Sequence, residues 1–201
     1  MRKLGLAVLV ALGFVSCSTE KYVTSDKSSV LFLIADVNGG IPLTSDVIVD
    51  GVVLADVAPV TIAVRPKNPN FDTVPQVAMA VIVERYEIRY YRSDGRATQG
   101  VDVPYTISGN LTTAVDASKG SEKNVTVKME VVRLQAKLEP PLVNLRGGGQ
   151  AIEISAFAEI TLFGKTIAGE AVKATGTLQV NFADFADAKA TPAAAAPSTG
   201  Y

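Results

Sequence analysis

Apolar residues recur at every second position over most of this chain, a period that builds strands and leaves no helix a continuous apolar stripe. Ile152, Ile154, Ala156, Ala158, Ile160 and Leu162 alternate with Glu153, Ser155, Glu159 and Thr161. Val172, Ala174, Leu178, Val180 and Phe182 alternate with Lys173, Thr175, Thr177, Gln179 and Asn181. Joined by residues 164–169, these two runs are expected to pair as a terminal antiparallel hairpin. Residues 30–37 (VLFLIADV) form a continuous apolar run of strand length, closed by Asn38-Gly39-Gly40. Asp50-Gly51, between the β-branched runs 47–49 and 52–54, is a two-residue hairpin signal, since both turn positions want positive φ. Residues 59–64 make a further short strand, and Pro66, Pro69 and Pro75 mark an irregular loop after it.

Two longer segments carry more detail. In residues 77–92, Val77, Met79, Val81 and Val83 share one face while Ala78, Ala80 and Ile82 share the other. This half is expected to be a central strand covered on both sides. Beyond it Tyr86, Ile88 and Tyr90 stay apolar while Arg85, Glu87 and Arg89 are polar, so the strand emerges to a solvated face before the Asp94-Gly95 turn. In residues 125–138 the apolar set moves from odd positions (Val125, Val127, Met129, Val131) to even ones (Val132, Leu134, Ala136, Leu138). A period-two strand changes face only by inserting a residue, so a β-bulge is expected near Val131-Val132. Pro140-Pro141 ends that strand, and Arg146-Gly147-Gly148-Gly149 continues as a flexible loop without the Lys-Ser/Thr of a phosphate loop.

No stretch after the first seventeen residues holds a 3.6-residue apolar period for more than a turn or two. Eight or nine strands with turn signals between them point to an all-β fold, a single antiparallel β-sandwich of immunoglobulin-like or jelly-roll-like type. Residues 30–185 form this domain, long enough to bury a real core. Residues 186–201 are rich in Ala and Pro and are expected to be a disordered tail.

The leader sets the compartment. Arg2 and Lys3 precede twelve apolar residues, too few for the ~20 that a spanning helix needs but right for a secretory signal peptide. The run ends in Phe14-Val15-Ser16-Cys17, and Cys17 is the single cysteine of the chain. This resembles the lipobox of bacterial lipoproteins, with Phe14 standing where Leu is usual. The resemblance implies removal of residues 1–16, lipidation of Cys17 and a lipid-anchored tether over residues 17–29. Ser18, rather than Asp, after the cysteine implies the outer membrane. Two or three acyl chains hold a protein there, whereas one alone binds only marginally, at ~10⁴ M⁻¹.

The segments RYEIRYYRSDGR and QGVDVPY (within residues 85–105), VRLQAKLEPPL (132–142) and VNFADF (180–185) are similar to a group of uncharacterised exported or lipid-anchored bacterial β-sandwich proteins. That resemblance implies an all-β envelope domain and carries over no functional residue.

Composition removes several chemistries. With no His there is no Ser-His-Asp triad and no imidazole ligand; with one Cys there is no internal disulfide and no cysteine zinc site. A net charge of -1 offers no electrostatic basis for binding nucleic acid. No cofactor, metal or catalytic residue is expected. Carboxylate-only glycoside hydrolysis would need two carboxylates ~5–9 Å apart, with Glu84, Glu87, Glu130, Glu153 and Glu159 as candidates and Glu84 foremost. A calcium-dependent, adhesin-like module would draw on Asp36, Asn38, Asp46, Asp50, Asp56, Asp94, Asp184 and Asp187, none at EF-hand spacing. Tyr and Arg dominate recognition hot spots, which makes Arg85, Arg89, Tyr90, Tyr91, Arg92 and Tyr105 the candidate recognition patch. The expectation is a non-catalytic envelope module that binds a partner protein or a glycan, or plays a structural role.

Overall fold

The alternating segments become eight strands in two packed sheets. The computed structural model describes residues 28–68, 79–148 and 152–185. The strands are β1 (Val30–Val37), β2 (Leu43–Asp46), β3 (Asp56–Pro66), β4 (Val81–Arg92), β5 (Ile107–Val115), β6 (Val125–Val132), β7 (Ile154–Thr166) and β8 (Ala171–Ala183). One sheet has the order β1-β3-β6 and the other β2-β8-β7-β4-β5. The leader, Cys17, the tether up to residue 27, Pro69, Pro75, Val77, Ala78, Gly149 and the Ala/Pro tail lie outside the described residues.

One shared core lies between the sheets. Phe32, Val60, Ile62, Val64 and Met129 point in from the smaller sheet, and Val83, Ile88, Ile160, Leu162, Val180 and Phe182 from the larger. The β7–β8 hairpin pairs as the alternation requires, from Ile154↔Phe182 to Lys165↔Ala171. Its strands run further than expected, so Gly164 lies inside β7 and the turn is confined to residues 167–170. The Asp50-Gly51 turn also forms, with φ of 47° and 81° and reciprocal backbone bonds of 2.8 Å between Val49 and Val52. It closes only a single bridge, because the flanking Val52 and Leu54 are exposed and have no sheet to join.

Three strands change face, and each does so by one inserted residue. Register slips in β1 at Ala35, in β4 at Glu84 against β7, and in β6 at Val131. The last is the bulge expected from the apolar phase, and it lets both Val131 and Val132 be buried. The bulge at Glu84 explains the face of β4: Val81 and Val83 point inward before it, and Tyr86, Ile88 and Tyr90 after it. It also corrects the expectation of a doubly covered strand. Ile82 is 39% exposed, so the outer side of β4 faces solvent at this end.

Gly164 makes room for the same bulge. A Cβ there would lie 2.5 Å from the backbone oxygen of Ile82, which cannot swing aside. Gly164→Ala should therefore cost about 1–3 kcal/mol, the usual range for forcing extra atoms into packed structure. Urea unfolding would measure this, and a neutral result would mean that β4 can shift away from β7.

Three further elements depart from the sequence expectation. β2 pairs with β8 in parallel, whereas the other described strand pairs are antiparallel. β5 (ISGNLTTAV) is too polar to announce itself, and it pairs along β4. The segment after β6 does not continue as a strand: Leu134–Leu138 is a short helix, α1, followed by a 3-10 turn over Leu142–Leu145. In α1 the apolar Leu134 and Leu138 are 42% and 44% exposed, while Lys137 is 1% exposed.

Candidate recognition face

The bulge at Glu84 divides the Tyr/Arg patch between two sides of the larger sheet. Tyr90 faces the core: it is 5% exposed, sits edge-on to Phe182 with ring centroids 6.4 Å apart, and donates its hydroxyl hydrogen to the carbonyl oxygen of Val131. Its ring is thus part of the core, because residues of even number turn inward beyond the bulge, while Tyr90 still lines a depression on the outer side. Tyr86 is buried likewise, over Gly109 of the paired strand β5. Burial raises the ionisation of both phenols above the usual tyrosine value, most strongly for Tyr90.

That shift has a pH consequence. An unfolded tyrosine ionises near pH 10, and the folded state holds the Tyr90 proton to higher pH. The stabilisation is complete below pH ~10 and is lost as pH rises from there toward the folded value. Tyr90→Phe should flatten this alkaline loss. It should also cost about 1–3 kcal/mol at neutral pH by leaving the Val131 carbonyl unpaired. Thermal melts of both proteins from pH 7 to pH 11 would show it, and equal alkaline slopes would contradict it.

Arg85, Glu87, Arg89 and Tyr91 point outward in a row. The Arg85 guanidinium lies 3.6 Å from the ring centroid of Phe163 on β7. Tyr91 stacks on Phe157, one register step across on β7, with centroids 5.5 Å apart and planes inclined at 29°. Arg89 is level with Glu159 on β7, and its Nε lies 3.7 Å from Glu87. Tyr90 and Tyr91, with Arg89, Ala97, Gln99, Thr106 and Glu159, border this shallow depression of about 220 Å³. Gln99 and Thr106 hold its rim with reciprocal bonds of 2.9 and 3.2 Å. Tyr105 is exposed nearby, with its ring laid over Gly100.

Arg92 ends β4, and its side chain meets the turn that follows. Its Nε is 3.7 Å from Asp94, whose carboxylate is shared with Arg96 Nη2 at 2.7 Å. The side-chain hydrogen bond from Arg96, then its backbone N–H, holds the Asp94 carboxyl below the usual carboxylate range.

The other candidates are engaged locally. Glu84 pairs with Lys165 at 3.0 Å on the exposed bulge, and Glu130 lies 3.9 Å from Arg133. Asp36 accepts from the backbone of Gly39, Asp46 from Ile48 and Phe185, and Asp184 from Gly147. Among the described residues no three carboxylates converge as a metal site. No described helix is long and apolar enough to cross a membrane.

One polar cluster had no signal in the sequence. Buried Lys137 Nζ lies 2.8 Å from Asp56 Oδ2 and donates to the backbone oxygen of Asp46 at 2.6 Å. Ser45 Oγ donates to the same Asp56 oxygen at 2.5 Å. The alternation had placed Lys137 on the outside of a strand. The cluster ties α1 to β2 and β3, with Ser45 and Lys137 buried and Asp56 partly open to solvent.

No protein-family model matches the chain, and a search of the curated proteins finds no match.

Proposed function

We propose that this protein is a non-catalytic, lipid-anchored module of the bacterial outer membrane that binds an envelope protein through the outer face of its larger sheet. The observation that carries the reading is the stack of exposed Tyr91 on half-buried Phe157, flanked by Arg89 and Glu159. Aromatic and arginine side chains on a flat, rigid sheet are what protein hot spots are made of. The pairing of Glu84 with Lys165 and of Glu130 with Arg133 argues against a carboxylate pair poised for hydrolysis. The backbone N–H groups from which Asp36, Asp46 and Asp184 accept account for those residues without calcium.

Crosslinking in intact cells, followed by capture of the detergent-solubilised protein and mass spectrometry, tests this. A specific envelope protein should be captured, and Arg89→Ala with Tyr91→Ala should reduce its recovery about tenfold or more, the effect of losing hot-spot side chains. Recovery unchanged by the double substitution would reject this face. Capture of glycan instead of protein, lost in the same variant, would reassign the partner to a polysaccharide.

A further inference from the structure

The end of the sandwich at which the chain enters the domain carries a cluster of cations. Val30, at the start of β1, pairs with Pro66 at the end of β3, and Lys67 N donates to Ser29 O at 3.1 Å. Ser118 N donates to Val64 O at 3.1 Å, which brings the loop between β5 and β6 to the same end. Arg65, Pro66, Lys67, Asn68 and Lys119 line an open depression of about 300 Å³ there. Arg65 is held in place by bonds from Nη2 to Asn124 Oδ1 at 2.9 Å and from Nη1 to Val64 O at 3.3 Å. Lys67 and Lys119 are exposed, and each also interacts within the chain. The acids of this end have neighbours of their own: Asp116 lies 3.8 Å from Lys123, Glu170 accepts from Ser29 N at 3.4 Å, and Glu122, bonded mainly to its own backbone N–H, lies within electrostatic reach of Arg65.

We infer that this depression faces the membrane and takes the phosphates of anionic phospholipid headgroups. The inference rests on the reading of Cys17 as lipidated. The chain from Cys17 to Val30 spans at most about 45 Å even fully extended, so an anchor at Cys17 keeps the entering end of the domain near the headgroups. Three cations around a concavity suit a compact dianionic or monoanionic phosphate, which an arginine fork can engage through two oxygens. The opposite end of β4, with Arg89 and Tyr91, then lies about 30 Å farther from the bilayer at ~3.3 Å per strand residue. That leaves the recognition face turned toward a partner while the basic end rests on lipid.

The lipoprotein purified from membranes would be reconstituted into vesicles of phosphatidylcholine alone or with added phosphatidylglycerol, floated, and acetylated on its amines. Peptide mass spectrometry would read each lysine. Lys67 and Lys119 should react about fivefold more slowly on the anionic vesicles, the factor equivalent to the ~1 kcal/mol gained per cation at such a surface. The protection should vanish at about 1 M salt, where screening acts within ~3 Å. Lys128, midway along β6, should be unchanged. Equal rates on the two vesicles would overturn the headgroup contact while leaving the anchor intact. The same protection from inorganic phosphate on neutral vesicles would overturn it in favour of a free anion. Failure to float with either vesicle would overturn the anchor and this inference with it.

Discussion

Asp56→Ala is expected to destabilise the domain by about 3–5 kcal/mol, the range for a buried ion pair that loses one partner. The reason lies at Lys137, not at Asp56. The aspartate side chain is 19% exposed and could be solvated alone, but the Lys137 side chain is 1% exposed. Without Asp56 its ammonium keeps only the Asp46 carbonyl at 2.6 Å. Lys137→Met in the same background removes the stranded charge and keeps much of the side-chain volume, so the double variant should be more stable than Asp56→Ala. Urea midpoints of the single and double variants test this directly. A loss under ~1 kcal/mol for Asp56→Ala would mean that α1 moves and lets water reach the ammonium.

Cys17→Ala is expected to abolish incorporation of an alkyne-palmitate label and to stop formation of the chain cut before residue 17. This follows from the proposed lipobox, in which the cysteine thiol takes a diacylglycerol and the chain is cut before that cysteine. The effect should be all or none, since no second cysteine exists to take the lipid. Two or three acyl chains hold firmly where one binds only at ~10⁴ M⁻¹, so loss of the label should also release any chain cut by another route. A wild-type protein that is cleaved but carries no label would instead make the leader an ordinary secretory peptide and Cys17 a free thiol.

The bulges show how far the residue pattern could be read. The phase change at Val131-Val132 shows in the sequence as a move of the apolar set from odd to even positions, although of the far set only Val132 is in β6 and Leu134, Ala136 and Leu138 lie in α1. The same switch exists in β4, between Val81 and Val83 on one side and Tyr86, Ile88 and Tyr90 on the other. It was hidden because Ala78, Ala80 and Ile82 made both faces look apolar. The alternation alone therefore does not show that the Tyr90 ring turns into the core. Phe157 and Phe163, which complete the outer face, looked like ordinary strand residues until the register set them against Tyr91 and Arg85.

By itself, the sequence determined the strand class, the β7–β8 hairpin, the Asp50-Gly51 turn and the bulge in β6. Each depends on residues close together in the chain, through a period of two or a backbone angle that a local pair of residues prefers. Tertiary structure alone decided the parallel pairing of β2 with β8, the place of the polar strand β5, and the burial of Lys137. These depend on partners far away in the chain: β2 takes its edge from residues 180–183, and the Lys137 charge is met by Asp56, 81 positions earlier. A lysine is expected outside unless a carboxylate waits for it inside, and whether one does is a property of the fold.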